Sequence, residues 1–223
     1  MISKETFRFL QQLKLNNDKV WFDANRSVYE QLRKEFEAFL EIVITEISQF
    51  DREVSQTTAK ASIFRINRDI RFSNDKLPYK TNFGAFIAKG GRKGTNGGYY
   101  IHVQPGECFL AGGIYMPSAP MLKAIREEIY ENIDEFKNIL QAPAFVKHFG
   151  DRIGEEKLKS APRGFPKDFA DMDYLKYKSY TVLKSEPDSV YQKADFIKEV
   201  KEVFMAMAPF NKFLNHAVED VER

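Results

Sequence analysis

Near residue 60 the hydrophobic period of this chain changes from helical spacing to strand-like alternation, and near residue 118 it changes back. The two periods line up side chains on different surfaces, so a chain that switches twice predicts helices at both ends with a sheet between them. On the N-terminal side Ser3 sits where an N-cap belongs, and Phe7, Leu10 and Leu13 follow at helical spacing. Asn16-Asn17-Asp18 breaks the pattern before Trp21 and Phe22, which read as an anchor to the core. Residues 26–49 predict the clearest helix. Its buried stripe is Val28, Leu32, Phe36, Phe39, Leu40, Val43 and Ile47, with Arg33, Glu37, Glu41 and Gln49 outside. Beyond residue 118, Pro120 suits a first helical turn, and Leu122, Ile125, Ile129 and Ile133 give a stripe. Asp195 caps a helix buried through Phe196, Val200, Val203, Phe204 and Met207. Pro209 is expected to end it, leaving Phe210, Phe213, Leu214, Ala217 and Val221 to a separate last helix.

In the middle, Ser62–Phe72 alternates. Phe64, Ile66, Ile70 and Phe72 share one face, and Ile63, Arg65, Asn67, Asp69 and Arg71 share the other. That predicts one or two half-buried strands, with Arg68 the exception on the apolar side. Ser73–Pro78 is built of turn residues. Phe83–Ala88 and Gly98–Gln104 predict strands joined by Lys89–Gly97, a loop too rich in glycine for regular structure. Pro105-Gly106 turns into Glu107–Tyr115, where Gly112-Gly113 implies a bulge or a close backbone approach. After an irregular stretch at 150–179, Tyr180–Leu183 adds another strand. Short links between sequential strands imply a meander. The predicted class is therefore α+β, a central antiparallel sheet of about four to six strands flanked by N-terminal and C-terminal helices. No linker or repeat marks a boundary, so one domain over residues 1–223 is expected.

Composition narrows the class of protein. Hydrophobic residues make up 43%, including 20 Phe and 10 Tyr, and a net charge of only +2 excludes the disordered class. No apolar run approaches the ~20 residues of a bilayer span. The first residues read straight into a helix without a secretory pattern, and the one cysteine, Cys108, has no internal partner. A cytoplasmic protein without a membrane partner is the expectation.

Charge is unevenly distributed. Lys60, Arg65, Arg68, Arg71, Lys76, Lys80, Lys89, Arg92 and Lys93 are opposed within their segment only by Asp69 and Asp75, a local balance of +7. The rest of the chain carries 25 basic and 30 acidic residues, or −5. Like charges this dense need an offset from a bound anion, partner carboxylates or exposure to water. Arg offers a planar fork to phosphate or carboxylate, and Lys a mobile point charge. The alternative is that Asp69 and Asp75 pair with Arg65, Arg71 or Lys76, which would make the cluster an ion-pair network at a sheet edge. An Arg68 on an apolar face has to lie at a turn or be paired, since an unpaired buried charge is too costly.

The run from Arg65 to Thr81, RINRDIRFSNDKLPYKT, resembles the signature of the domain of unknown function family 2461. Gly98-Tyr99-Tyr100-Ile101-His102-Val103, Gly112-Gly113-Ile114-Tyr115-Met116-Pro117, Leu122 with Ile125-Arg126, Trp21-Phe22 and Pro162-Arg163-Gly164-Phe165 fit the same family. The resemblance implies one intracellular α+β domain over about residues 1–218, and it implies no reaction, cofactor or catalytic residue.

Other chemistry is not signalled. The glycines at 90, 91, 94, 97 and 98 match neither phosphate-loop pattern, and no nucleophile elbow occurs. His102, His148 and His216 are isolated and one cysteine gives no C-x-x-C pair, so no metal and no cofactor is expected. The carboxylate pairs Glu127-Glu128, Glu155-Glu156 and Glu219-Asp220 read as solvated faces. His102, on a strand near the basic segment, is the one candidate general base. The leading expectation is a site for a phosphorylated or other anionic small molecule, in a binding protein or an enzyme. Arg65, Arg68, Arg71, Lys76 and Lys80 would hold the anion, Tyr79 would orient it and Asp69 would fix the Arg forks. The alternatives are single-stranded nucleic acid on the same basic surface, helped by the glycine-loop cations and by Tyr79, Tyr99 and Tyr100, and docking of an acidic protein partner. Oligomeric state has no signal in the sequence.

Overall fold

Ser3 opens the first helix as its sequence predicts, its hydroxyl accepting from the Thr6 amide and satisfying one donor that a helix start leaves unpaired. The computed structural model describes residues 1–71, 73–150, 153–154 and 156–221; Phe72 of the expected strand and Glu155 of the expected carboxylate pair lie outside them. The N-terminal elements are α1 (Lys4–Leu15), α2 (Lys19–Ala24), α3 (Arg26–Ile47) and α4 (Ala59–Ser62). Strands β1 (Phe83–Ile87), β2 (Gly98–Val103) and β3 (Phe109–Ile114) follow. Helices α5 (Ala119–Glu131), α6 (Ile133–Gln141), α7 (Pro143–Phe149) and α8 (Met172–Leu175) precede β4 (Tyr180–Ser185). Helices α9 (Asp188–Tyr191) and α10 (Phe196–Val218) close the chain. The strands form one antiparallel sheet in the order β1-β2-β3-β4 with helices flanking it, which is the α+β architecture expected. The first three strands are the predicted meander, and β4 joins β3 only after the helical excursion α5–α8. Among the described residues no helix is long and apolar enough to cross a membrane.

The chain divides into two units. One comprises Met1–Lys93, Tyr100–Leu110 and Ser185–Glu202. Its core is the stripe of α1 (Leu10, Leu13) and of α3 (Leu40, Val43, Ile47), all completely buried, with Phe39 stacked on Phe196 at 5.7 Å. Each such side chain contributes roughly 1.5–3 kcal/mol by leaving water. Two details of the α3 stripe differ from expectation. Val28, in the first turn, is exposed, and Ile44 is buried beside Val43.

The second unit comprises Gly94–Tyr99, Ala111–Lys184 and Val203–Arg223. Here Phe204 packs on Tyr99 at 5.0 Å, and Phe213 on Phe136 at 5.2 Å. The expected close approach at Gly112 is real. A Cβ there would overlap the Met207 sulfur, so glycine lets α10 lie directly against the strand. Asn211 donates to the Gly98 carbonyl (3.0 Å), and Asn215 both accepts from the Gly97 amide (2.6 Å) and donates to its carbonyl (3.2 Å). Pro209 does not end the helix, contrary to the sequence reading, and α10 runs unbroken through it. Pro209 and Met205 one turn earlier are both exposed, so the carbonyl deprived of a partner lies on the water side. Buried side chains on either side of Pro209 (Phe204, Met207, Phe210, Leu214) hold the two halves in one helix.

Candidate functional site

The basic segment begins at a short helix tied down from several directions. Thr57 donates its hydroxyl to the Ala88 carbonyl (2.7 Å), Thr58 caps α4 through the Ala61 amide, and the Ala59 amide donates to the Glu41 carboxylate (3.0 Å). Among the described residues of Ser62–Phe72 the predicted strand is not formed. Instead, two isolated bridges, Ile63 with Ala85 and Asn67 with Tyr79, make an irregular ribbon. It is held by Phe64 N–H to the Gly84 carbonyl (2.9 Å), Lys80 N–H to the Ile66 carbonyl (2.8 Å) and Arg68 N–H to the Pro78 carbonyl (2.9 Å). Burial follows Ile63 and Ile66, three apart, and Phe64 turns outward. The cause is local competition by side chains. Asp69 accepts from the Arg71 amide and Asp75 from the Leu77 amide, turns that replace ladder bonds.

Those carboxylates also consume the arm's cations. Arg71 forms a two-pronged pair with Asp69 (2.9 and 2.7 Å), and Arg68, its side chain 26% exposed, pairs with Asp75. Lys76 donates to the Ile70 carbonyl at 3.0 Å. The Arg71 guanidinium holds Asp69 below the usual carboxylate range, and the Leu77 amide followed by Arg68 does the same for Asp75. Tyr79 is buried, stacked on Phe22 at 4.0 Å, with its backbone bonded on both sides by the Asn17 amide group. Among the described residues no interaction gathers Arg68, Asp69, Arg71, Lys76 and Tyr79 around one point. Their bonds are spent on the shape of the arm.

At the other end of the segment the cations converge. A cleft of about 540 Å³ is lined by Tyr29 and Arg33 of α3, Thr58, Lys60 and Ala61 at α4, Ile63 and Arg65 on the ribbon, and Gly90, Arg92 and Lys93. Arg92 and Lys93 sit on a 3-10 turn at Gly91–Lys93, inside the loop expected to lack regular structure. Gly90 and Gly91 have φ of 78° and 67°, and a Cβ on Gly91 would stand 2.9 Å from the Ala61 carbonyl oxygen, so only glycine brings the turn this close to α4. One nitrogen of Arg92 donates to the carbonyls of Lys60 (3.1 Å) and Ala61 (2.8 Å), fixing the guanidinium at the rim. Arg33 is paired with Glu37 at 2.9 Å. Among the described residues Lys60, Arg65 and Lys93 have no ion-pair partner. Burial raises the Tyr29 phenol above its ordinary value, so it remains a protonated donor at neutral pH. Lys80 stands outside the lining, and burial together with the charge of Arg65 lowers its pKa.

Of the seven residues singled out from sequence, Arg65 lines the cleft and Lys80 shares its field. Tyr29 and Arg33 were missed. They stand four apart on α3 flanking the buried stripe, a position that reads as solvated face until the ribbon is folded against it. His102, the candidate base, lies on the half-exposed side of β2. The Tyr100 hydroxyl (2.9 Å) and the Asn82 amide nitrogen (3.4 Å) are within reach of Nδ1. Since an amide nitrogen only donates, Nδ1 accepts and the proton sits on Nε2, facing Gln104 at 3.4 Å. Burial lowers its pKa, which favours the neutral ring. Cys108 is buried, with its thiol pushed up to about 12, and packs as a small apolar group.

A family model described as a conserved hypothetical protein (DUF2461) matches residues 5–213. Nothing matches among the curated proteins or the solved structures compared.

Proposed function

Because this chain belongs to the DUF2461 family, whose description names no ligand or reaction, we propose its function from geometry: it binds a phosphorylated or similarly anionic small molecule in the cleft beside α4. The observation carrying this reading is the convergence of Lys60, Arg65 and Lys93, none matched by a carboxylate of the described residues, with Arg92 and Arg33 on one cavity. Unmatched like charges repel, and a chain that needed only solubility would spread them. Gathered around a cleft, they lower the electrostatic energy of any anion that enters. Arg65 and Arg92 supply forks for phosphate oxygens, Lys60 and Lys93 supply mobile charge, and the Tyr29 phenol supplies a neutral donor. A cavity of about 540 Å³ suits a small metabolite and not a protein chain.

The test is thermal denaturation of the full chain with inorganic pyrophosphate and a panel of phosphorylated and carboxylated metabolites. A ligand at a hundredfold excess over its dissociation constant raises Tm by about 5–10 °C. The shift is expected to disappear in Lys60→Ala/Arg65→Ala and to persist in Arg68→Ala, whose guanidinium serves Asp75. No shift across the panel, or a shift that survives the double substitution, would sink the reading.

A further inference from the structure

We infer that the outer face of β1–β3 is a stacking platform for single-stranded nucleic acid, a second site beside the cleft that shares the charge of Arg65 with it. Alternation along β2 buries Tyr99, Ile101 and Val103 on one side and turns Tyr100 and His102 to the other, where both are half-buried. Phe86 of β1 and Phe109 of β3 are half-buried too. Phe109 lies parallel to His102 (4.4 Å, 9°) and 5.7 Å from Tyr100, which meets Phe64 edge-on at 6.2 Å. Phe64 is 36% exposed. A Cβ on Gly84 would stand 2.6 Å from the Tyr100 hydroxyl, so the glycine lets that ring lie across the neighbouring strand.

The solvent side of an antiparallel sheet ordinarily carries polar side chains, so contiguous half-buried rings there, ending in the exposed Phe64, mark a contact surface. The charge at its edge selects the occupant. Lys80 holds its ammonium 5.1 Å from the centre of the Phe64 ring and has no carboxylate partner among the described residues, with Arg65 adding to the same field. Rings bordered by cations match a polymer that alternates flat bases with phosphates. An apolar peptide would leave Lys80 unmatched, and a second copy of this chain would bring the same cation to the contact. Glu107 is the acid that faces His102, at the far end of β2, so the phosphates run along the Phe64–Lys80 side.

The experiment is fluorescence anisotropy of a labelled thymidylate single strand of about ten nucleotides, titrated with the full chain at low and high salt. Phe64→Ala and Phe109→Ala are each expected to weaken binding about tenfold, and Lys80→Ala to flatten the salt dependence. Phe64→Leu keeps the bulk and removes the ring, so its loss of affinity with an unchanged Tm separates stacking from unfolding. Inorganic polyphosphate of similar charge should compete poorly, and Lys60→Ala, in the cleft, should leave the strand affinity unchanged. The inference falls if polyphosphate competes as well as the strand, if Phe64→Leu binds like wild type, or if the strand does not bind. None of these outcomes touches pyrophosphate binding in the cleft.

Discussion

The arm from Ile66 to Lys80 and the rim made of Lys60, Arg65, Arg92 and Lys93 come from one stretch of sequence with one sign of charge, yet they end in opposite electrostatic conditions. In the arm, Asp69 takes Arg71, Asp75 takes Arg68 and the Ile70 carbonyl takes Lys76. At the rim, Arg92 is oriented by backbone carbonyls that carry no full charge, and Lys60, Arg65 and Lys93 face the cleft without carboxylates of the described residues. The difference teaches that a count of charges locates a basic segment but not a site. What decides is which cations the fold leaves without internal partners. Exposed ion pairs are screened by water and contribute little, so the arm's pairs shape a loop more than they stabilise the fold.

The comparison is broken most forcefully at Tyr79. Its ring is buried on Phe22, so Tyr79→Ala should cost about 3–5 kcal/mol and lower Tm by roughly 10 °C while anion affinity in the remaining folded fraction is unchanged. A variant of normal Tm that fails to bind the anion would instead make Tyr79 a ligand residue and erase the distinction between arm and rim. Gly91→Ala attacks the other side. With φ at +67° and the Ala61 carbonyl in the way, the substitution should cost about 1–3 kcal/mol and draw Arg92 and Lys93 off α4. Denaturant melts give the first number and pyrophosphate titration the second. Loss of stability with intact binding would show that the turn does not organise the cleft.

How much of this was legible beforehand follows from which interactions are local. Helix periodicity, the Ser3 cap and the glycine approach at Gly112 are set by near neighbours or by sheer absence of volume, and they read directly from the residues. The Ser62–Phe72 strand was misread because alternation of apolar residues carries no information about Asp69 and Asp75 capturing nearby amides. Pro209 misled for the converse reason. Propensity is local, and the core contacts that hold α10 together across it are not. The segment holding the cleft's cations was visible as +7. The cleft itself was not, since Tyr29 and Arg33 arrive from a helix some thirty residues earlier.

The smallest expected effect sharpens the comparison through pH. Asp69 and Asp75 have folded pKa values below their unfolded ones, so the stability they contribute is complete above the ordinary carboxylate range and is lost as pH falls through the folded values. Lys80 runs the other way. Burial, followed by the Arg65 charge, lowers its folded pKa, so the folded state sheds that proton first and stability rises with pH between the folded and unfolded values. Carboxyl-detected NMR titration separates the partners within the arm. Arg71→Ala should return Asp69 most of the way to an ordinary midpoint, because its leading cause is that guanidinium. Arg68→Ala should move Asp75 less, because the Leu77 amide is the larger cause and remains. Equal movement of the two would mean that the arm is held by its guanidinium pairs alone. Unequal movement in the stated order means that backbone amides fix the Asp75 turn and that Arg68 was drawn to a carboxylate already in place, which is why its charge never reaches the cleft.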